Sequence, residues 1–351
     1  MLDLPGRTGR LWFQARSLSR GSAHDRDAFD GLGHRQALKL FLLGKRGSIV
    51  HWLEDAASAF AGAGHEVRVG ITRRPWLNAR LERALAEPIG EAIARRVASF
   101  EPELILAIGA YHVPSAILAR VAAVPGRAPL IGWVGDVFDD AAGAAAAGLC
   151  DAVGYTDSGL LARHKSLNFP SSALFLPHAV DPRGAEPPVA SARRERMVFV
   201  ANPTPARQAV VDAIASPIAV WGPSWRPSPN VRHEIHARRI APTEARRVYR
   251  SHFAALNIRN EFNVLTGLNQ RNFEPCLAGA ALITDDQPDL GLCFEPGAEV
   301  WAWRDVDELN DLYARALRDT AGAAALGARG RARVLASHTY ERRLDALKAA
   351  F

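Results

Sequence analysis

Residues 267–286 read GLNQRNFEPCLAGAALITDD. The second half joins small residues to the apolar run ALIT, a pattern typical of a helix beside a buried strand of an α/β core. Pro275 has no backbone N–H and is tolerated only in the first turn of a helix, so we expect the helix to begin close to Asn272, which can cap it. Glu274 then lies in the first turn, at the mouth of the predicted sheet.

A carboxylate at this position has two interpretations. The first-turn N–H groups and the helix dipole favour an anion there, and a glutamate can also accept two hydroxyl hydrogen bonds, as from a ribose diol. Gly267 precedes it and lets the backbone approach a ligand closely. The alternative is that Glu274 only complements the helix dipole, a contribution of about 0.3–1 kcal/mol. The residues alone leave both interpretations open.

Strand and helix patterns alternate through the first half of the chain. Helical stripes separate most of the strands, with apolar residues at 49, 53, 56 and 60 in one helix and a second helix over 77–100. This alternation predicts an α/β fold, with a parallel sheet and helices on both faces. The predicted strands are ALKLFLLG, HEVRVGI, ELILAIGA, PLIGWVGD, DAVGYT and ALFLPH.

The alternation breaks at VDPRGAEPPVASARRER and then restarts. Further helices are expected over 243–252, after Asn269 and from Asp305, where Glu308 has capping-box spacing. The predicted strands are MVFVAN, IAVWG, AALNIR, ALIT and EVWAW. We therefore predict two doubly wound domains that face each other, with a cleft at the carboxyl ends of their strands.

The proposed boundaries follow from these patterns. They are an irregular extension over 1–36, an N-terminal domain over 37–183, a linker over 184–195 and a C-terminal domain over 196–351. The terminal helix of the second domain can cross back to the first.

The bulk composition is that of an ordinary globular protein. The 351 residues are 48% hydrophobic and 23% charged, with a formal net charge of +6. The positive charge comes mostly from arginine. It reflects either an arginine-rich proteome or an acidic partner, such as a nucleotide diphosphate, an anionic glycan or a membrane surface.

Cysteine usage and the length of the apolar runs predict a cytoplasmic protein. Cys150, Cys276 and Cys293 lie far apart and form no CxxC pair, which argues against a disulfide scaffold or a structural zinc site. No apolar run reaches the roughly 18 residues of a membrane span. The N-terminal segment also lacks the apolar core and cleavage site of a secretory signal.

An ordered set of motifs runs through the second domain. It comprises LNI, then N-x-R-x-F-E, a small-residue helix with Gly-Ala, a strand ending in T-D, then P-G-x-E-V, D-E-L and H-T-Y. This order resembles the C-terminal half of CgeB-like glycosyltransferases, which are similar to the large group 1 set with the GT-B fold of two Rossmann-like domains. The resemblance is close over about 100 residues, and MVFVANPTPAR and AVWGPSW extend it over the rest of the C-terminal domain.

The resemblance implies a donor site in the C-terminal domain. Glu274 matches the family glutamate that holds the donor ribose, and Asn269 and Arg271 lie in the turn that faces the diphosphate. The broader set has another glutamate eight residues earlier. Thr266 stands there in this chain, so the two-glutamate motif is incomplete.

Two loops that follow strands add candidates for donor binding. In VANPTPARQ, Thr204 and Arg207 precede or begin a helix and are candidates for the diphosphate, the alternative being a surface turn stiffened by proline. In GKRGSIVHW, Gly47 and Ser48 lie in the loop that faces acceptor and donor in two-domain glycosyltransferases, the alternative being an ordinary turn. Arg259 follows the AALNI strand and either faces the donor or forms an interdomain salt bridge.

His112 and Asp136 are the candidates for acid–base chemistry. Each follows a strand of the first domain, where acceptor chemistry is expected, and each could accept a proton from an acceptor hydroxyl. The alternative is that they only make structural hydrogen bonds.

Other functional classes lack their sequence signatures. HEIHARR, from His233, does not have the i, i+4 spacing of a zinc helix. GKRGS does not fit a P-loop, and no G-x-G-x-x-G follows a first strand, which argues against a nicotinamide dehydrogenase. The basic residues are scattered without an aromatic platform, so nucleic acid is not expected as a partner.

These observations predict a glycosyltransferase that needs no metal or cofactor. It would move a sugar from a nucleotide diphosphate donor, such as a UDP-sugar, to a hydroxyl-bearing glycan, protein or small molecule. A helix N-terminus, Arg207 and Arg271 would stabilise the leaving diphosphate. Peripheral association with a membrane surface is left open. The alternatives are an inactive GT-B-like protein that binds nucleotide sugars or acts as a scaffold, favoured by Thr266, and a sugar-nucleotide epimerase of similar fold.

Overall fold

The computed structural model describes residues 36–45, 51–73, 79–183 and 194–350. Almost all of the predicted extension over 1–36, the candidates Gly47 and Ser48, and most of the predicted linker over 184–195 lie outside the described residues.

Six parallel strands form the first sheet, as the alternating pattern predicts. The strands are β1 (Lys39–Lys45), β2 (Glu66–Arg73), β3 (Leu104–Ile108), β4 (Leu130–Val134), β5 (Ala152–Tyr155) and β6 (Ser172–Phe175). Their spatial order is β2-β1-β3-β4-β5-β6. The helices between them are α1 (Trp52–Gly62), α2 (Ala79–Phe100), α3 (Ser115–Ala122), α4 (Asp140–Leu149) and α5 (Ser158–Ser166).

Strand β1 shows why the sheet is covered on both faces. Successive side chains of a strand point to opposite faces. Phe41 and Leu43 pack in the cluster that includes residues of α2 and α3, while Leu40 and Leu42 pack with residues of α1. All four are buried, so a strand covered on both sides reads as an unbroken apolar run.

The second sheet is also parallel and six-stranded. Its strands are β7 (Arg194–Val200), β8 (Ile218–Trp221), β9 (Glu234–His236), β10 (His252–Asn257), β11 (Ala281–Asp285) and β12 (Trp301–Trp303). Their order is β12-β11-β10-β7-β8-β9. The following helices are α6 (Pro205–Ala213), α7 (Pro242–Arg250), α8 (Glu274–Leu277), α9 (Leu290–Cys293), α10 (Val306–Arg318), α11 (Thr320–Ser337) and α12 (Tyr340–Ala350).

Three local predictions need correction. The residues HEIHARR contain β9, a strand that the sequence did not reveal. The helix expected over 243–252 ends at Arg250, because His252 already begins β10. Asp305 does cap α10 by accepting from the Glu308 N–H at 2.9 Å, but the Glu308 carboxylate accepts from the Arg304 N–H, so the reciprocal half of the capping box is absent.

The last helix, α12, packs against the first sheet rather than the second. Tyr340, Leu344 and Leu347 join the buried cluster that contains Trp52 and Trp133. The Tyr340 ring lies 5.8 Å from Phe60 and 6.1 Å from Trp133, measured between ring centroids. Helix α12 therefore connects the two domains. The first domain is built on the first sheet and the second domain on the second sheet.

Helix α11 packs closely on the turn before β11, and Gly327 makes this possible. A Cβ atom at Gly327 would lie 2.5 Å from the Gly279 carbonyl oxygen and 3.0 Å from backbone atoms of Ala280 and Ala281. Backbone atoms in a packed core cannot move aside easily.

We therefore expect Gly327→Ala to destabilise the protein by about 1–3 kcal/mol through overpacking. Gly148, near the end of α4, is the matched control because a Cβ there meets nothing within 4 Å. Gly148→Ala should stabilise by about 0.5–1 kcal/mol, since alanine loses less chain entropy in a helix. Urea unfolding measures both, and a similar change in the two variants would contradict the packing account.

Candidate functional site

A cavity of about 660 Å³ opens where the strand order of both sheets reverses. In the first sheet the reversal falls between β1 and β3, and the cavity is lined there by Lys45 and Gly109. In the second sheet it falls between β7 and β10, and the cavity is lined there by Asn202 and Asn260. Open α/β sheets bind ligands outside the carboxyl ends of their strands at such switch points. This cavity, called the larger cavity below, is therefore the candidate site.

A smaller cavity of about 300 Å³ adjoins the larger one. Trp221, Ile240 and Tyr249 of the second domain line it, together with Glu274 and with Asp55 from α1. The indole Nε1 of Trp221 is buried and has no hydrogen-bond partner among the described residues. Four of the described residues line both cavities: Asn202, Arg239, Gln270 and Arg271.

The segment between β10 and β11 includes Asn269–Glu274, which carries three of the predicted donor residues and is called the donor turn below. Asn269 caps a single 3-10 turn over Gln270–Asn272, and its side chain accepts from the Arg271 N–H at 2.8 Å. The Asn272 side chain points inward, where Nδ2 donates to Thr284 Oγ1 at 3.0 Å and Oδ1 accepts from Asn257 Nδ2 at 3.2 Å. The prediction that Asn272 caps α8 is therefore wrong. Phe273 occupies the cap position without a side-chain hydrogen bond.

Arg271 lies at the junction of the two cavities. Its Nε is buried, and within the described part of the chain it has no hydrogen-bond partner. A buried donor without a partner costs about 1–3 kcal/mol, so a cation in this state is suited to receive an acidic ligand.

Glu274 faces the smaller cavity and a narrow gap that it shares with Asp55, Asp181 and Arg246. Burial and the nearby Asp55 carboxylate raise the pKa of Glu274 to about 7, while Arg246 and Arg271 oppose this shift. Asp55 comes from the first domain and pairs with Arg246 of the second at 3.1 Å. Burial also raises the pKa of Asp55. The carboxylates of Glu274 and Asp55, which belong to different domains, thus lie in one gap that is largely shielded from water.

Arg207 lines the larger cavity, but its guanidinium is used by the protein itself. Thr204 caps α6 by accepting from the Arg207 N–H at 3.2 Å. Arg207 Nε and Nη2 donate to the Ile258 carbonyl at 3.1 and 2.8 Å, and Nη1 donates to the Asn202 carbonyl at 3.0 Å. Burial, with Arg271 nearby, lowers the pKa of Arg207 to about 9.

Arg259 pairs within the second domain. Its backbone N–H donates to the Asp285 carboxylate at 3.1 Å, and its side-chain Nε lies 3.7 Å from the same carboxylate. The alternative of an interdomain salt bridge is therefore wrong. Arg259 is not among the described residues that line the two cavities.

The structure brings His112 and Asp136 together at the larger cavity. The Asp136 carboxylate accepts from the Tyr111 hydroxyl and, at 2.9 Å, from Asn263 Nδ2 of the second domain. These two donors fix its orientation. The candidates Thr204, Arg207, Asn269 and Arg271 line the same cavity, so the predicted donor and acceptor sides face each other.

His178 is a cavity residue that sequence reasoning missed. It is 6% exposed, its Nδ1 has no partner among the described residues, and its ring lies 4.8 Å from that of Trp52. Burial lowers its pKa to about 4, so the imidazole is neutral at pH 7. His178 ends the segment ALFLPH, and its place after a strand, like that of His112, is the signal that could have found it.

Comparisons with known proteins identify the architecture. Residues 202–349 match a family model described as glycosyl transferase-like. The sucrose-phosphate synthase of Thermosynechococcus elongatus is similar with a TM-score of 0.64 and 14% identity, over 89% of this chain and 98% of that chain. Anabaena HepE in complex with UDP-glucose is similar with a TM-score of 0.62 and 11% identity, over 89% and 100%. The chain adopts the GT-B fold.

The GT-B fold confirms the predicted architecture of two doubly wound domains around a cleft. The α,α-trehalose 6-phosphate synthase of Burkholderia multivorans is a further similar structure, with a TM-score of 0.57 and 11% identity over 90% of this chain and 96% of that chain. No curated protein sequence matches the chain. The narrower CgeB-like assignment stays a prediction.

The described residues of this GT-B chain hold neither a cluster of metal ligands nor a membrane-spanning helix. No group of three or more His, Cys, Asp or Glu side chains is arranged to hold a metal ion within those residues. No helix among them is long and apolar enough to cross a membrane.

The contacts of Arg207 predict a structural cost for its replacement. Lysine cannot reach both carbonyl groups, so Arg207→Lys should destabilise the protein by about 1–3 kcal/mol for each acceptor left unpaired. Arg259→Lys is the control. Its side chain is 45% exposed, and the loss should stay below about 1 kcal/mol. Urea unfolding of both variants measures the difference, and equal losses would contradict the assigned role.

Proposed function

We propose that the protein is a glycosyltransferase that moves a sugar from a nucleotide diphosphate donor to a hydroxyl-bearing acceptor. The observation that carries the proposal is the pair of adjoining cavities, with Arg271 lining both and Glu274 facing the smaller one. Anabaena HepE, which has a similar fold, has been solved in complex with UDP and with UDP-glucose. The match of residues 202–349 to a glycosyl transferase-like family model also supports the proposal.

The smaller cavity suits the nucleoside. The half-buried Trp221, with its ring stacked 3.8 Å from His236, and the buried Tyr249 give it a partly aromatic lining. Glu274 would accept hydrogen bonds from the two ribose hydroxyls. The diphosphate would then lie at the junction of the cavities, against Arg271 and near the N-terminus of α6, where backbone N–H groups favour an anion.

The sugar and the acceptor would occupy the larger cavity. In the transfer, the bond from the anomeric carbon to the diphosphate oxygen breaks, and the anomeric carbon bonds to the acceptor oxygen. The proton of the acceptor hydroxyl would pass to Asp136 or His112. Arg271 and the positive field of the buried Arg207 would stabilise the departing diphosphate without a metal ion. Closure of the cleft would exclude water and limit hydrolysis of the donor.

A second function is a GT-B protein that binds a nucleotide sugar without transferring it. Thr266 favours this alternative, because it replaces a glutamate of the family pattern. Release of nucleotide diphosphate from a donor, measured with and without simple hydroxyl acceptors, separates the two. Donor binding without turnover would support the binding protein.

We expect UDP, GDP or dTDP to stabilise the protein with no divalent metal added. At a ligand concentration one hundred times the dissociation constant, the gain should be about 2.7 kcal/mol. Thermal unfolding in the presence of EDTA measures it. No shift with any of the three nucleotides, or a shift that needs magnesium or manganese, would contradict the proposed donor site.

We expect nucleotide affinity to depend on Glu274 and on pH. Because ribose hydroxyls donate to the ionised carboxylate, and its pKa is about 7, binding below that pH must first remove a proton. The wild-type affinity should fall by up to tenfold per pH unit below about 7. Glu274→Gln should bind about ten- to hundredfold more weakly at pH 8. It should not lower folding stability at that pH, because burial already disfavours the ionised carboxylate.

Titration calorimetry from pH 5.5 to 8 tests both expectations. The diphosphate titrates in both proteins, so the difference between wild type and Glu274→Gln isolates the carboxylate. The glutamate would be only a helix-start residue if the two proteins had equal affinities over the whole range.

A further inference from the structure

The Asp157 carboxylate is completely buried between the two domains. It follows β5 in the first domain, and one of its oxygens accepts three consecutive backbone N–H groups of the second domain. These come from Leu265 at 2.7 Å, Thr266 at 3.0 Å and Gly267 at 2.9 Å. The other oxygen caps α5 by accepting from the N–H groups of Gly159 and Leu160 at 2.8 and 3.1 Å.

Thr266 completes this contact with its side chain. Its Oγ1 donates to Asp157 at 2.7 Å and accepts from the Gly159 N–H at 2.8 Å. Ser158 extends the cluster, because its N–H and hydroxyl both donate to the buried Asp289 carboxylate, at 2.7 and 2.5 Å. We call Asp157, Ser158, Thr266 and Asp289 the anchor.

Two glycines allow the domains to approach this closely. A Cβ atom at Gly267 would lie 2.7 Å from the Asp157 Cβ and 2.8 Å from its Cα. A Cβ atom at Gly159 would lie 3.1 Å from Thr266 Oγ1 and 3.2 Å from the Leu265 Cβ. Any larger residue at Gly267 would therefore push the two backbones apart.

The anchored segment leads directly into the donor turn. Gly267 is two residues before Asn269, which begins that turn and lines the larger cavity. The same segment is held a second time at Asn263, whose carbonyl accepts from the Val137 N–H at 2.8 Å and whose side chain donates to Asp136. Both contacts come from loops that follow first-domain strands, β4 and β5.

We propose that Asp157 is a positioning residue for donor binding, and that the anchor fixes the donor turn against the first domain. Thr266 then serves the anchor, with its side chain turned toward Asp157 and away from the sugar. The link to donor binding rests on the proposed function. The anchoring of the segment over 265–267 is independent of the proposed function.

Hydrogen exchange tests the anchor without any ligand. Asp157→Asn keeps the size of the side chain but removes its charge. It also replaces one carboxylate oxygen, a hydrogen-bond acceptor, with an NH₂ group, which can only donate. We expect the amides of Leu265, Thr266 and Gly267 to exchange at least tenfold faster in this variant. Asp305→Asn is the matched control, since Asp305 caps α10 in the same way but has no part in the anchor. Unchanged exchange over 265–267 in Asp157→Asn, or the same acceleration in the control, overturns the proposal.

Substitutions at Thr266 test the link to the donor and need no change at Asp157. The probes are whichever of UDP, GDP and dTDP binds the wild type most tightly, and its glucose ester. Thr266→Ser should bind both like the wild type, while Thr266→Val should bind both at least threefold more weakly. Thr266→Glu should bind at least tenfold more weakly, because it places a third carboxylate beside Asp157 and Asp289.

The outcomes separate the two claims. A gain in affinity for the glucose ester over the free nucleotide in Thr266→Glu would show that the residue faces the sugar, and would overturn the assigned role. If Thr266→Val bound both probes with wild-type affinity, the assigned role of Thr266 would also be overturned. Failure of the wild type to bind any of the nucleotides would remove the proposed function, and the exchange measurement would still decide on the anchor.

Discussion

The buried carboxylate of Asp157 is the interaction on which the arrangement of the cleft depends. An ionised carboxylate removed from water is costly unless hydrogen-bond donors replace its hydration. Here the second domain supplies three backbone N–H groups and the Thr266 hydroxyl, and the start of α5 supplies the remaining donors. Separating the domains would leave these buried groups without hydrogen-bond partners, so the contact favours the arrangement in which the domains meet. It also fixes where the donor turn begins.

Two arginines of the site differ in how their side chains are used. Arg207 is satisfied by carbonyl groups and holds the end of β10 in place. Arg271 keeps a buried Nε without a partner among the described residues, and Glu274 keeps a carboxyl group whose pKa is raised to about 7. A protein gains no stability from a buried donor without a partner or a carboxylate that burial disfavours, which supports the proposal that both groups face a bound ligand.

The sequence predicts the sheets better than the site. Parallel strands covered on both faces read as apolar runs. Within the part of the chain that the structure describes, this pattern predicted every strand except β9, which has three residues and only intermediate burial. The resemblance located the donor turn. It could not show that the Asn272 side chain points inward to Thr284, because that contact depends on how β10 and β11 pair.

Contacts across the cleft were beyond the reach of the sequence. Asp157 is 109 residues from Thr266, and neither residue belongs to a motif whose spacing implies the other. His178 was visible only as the end of a strand. Thr266 was noticed as a departure from the family pattern, but only the structure shows what its hydroxyl binds. The roles of Gly47 and Ser48 stay predictions.

A crystal structure of the protein with the tightest-binding nucleotide diphosphate would test the account most directly. The account predicts both ribose hydroxyls within hydrogen-bonding distance of Glu274, the diphosphate against Arg271, and the amides over 265–267 still bonded to Asp157. A nucleotide bound outside the two cavities, or bound with the donor turn released from Asp157, would contradict it.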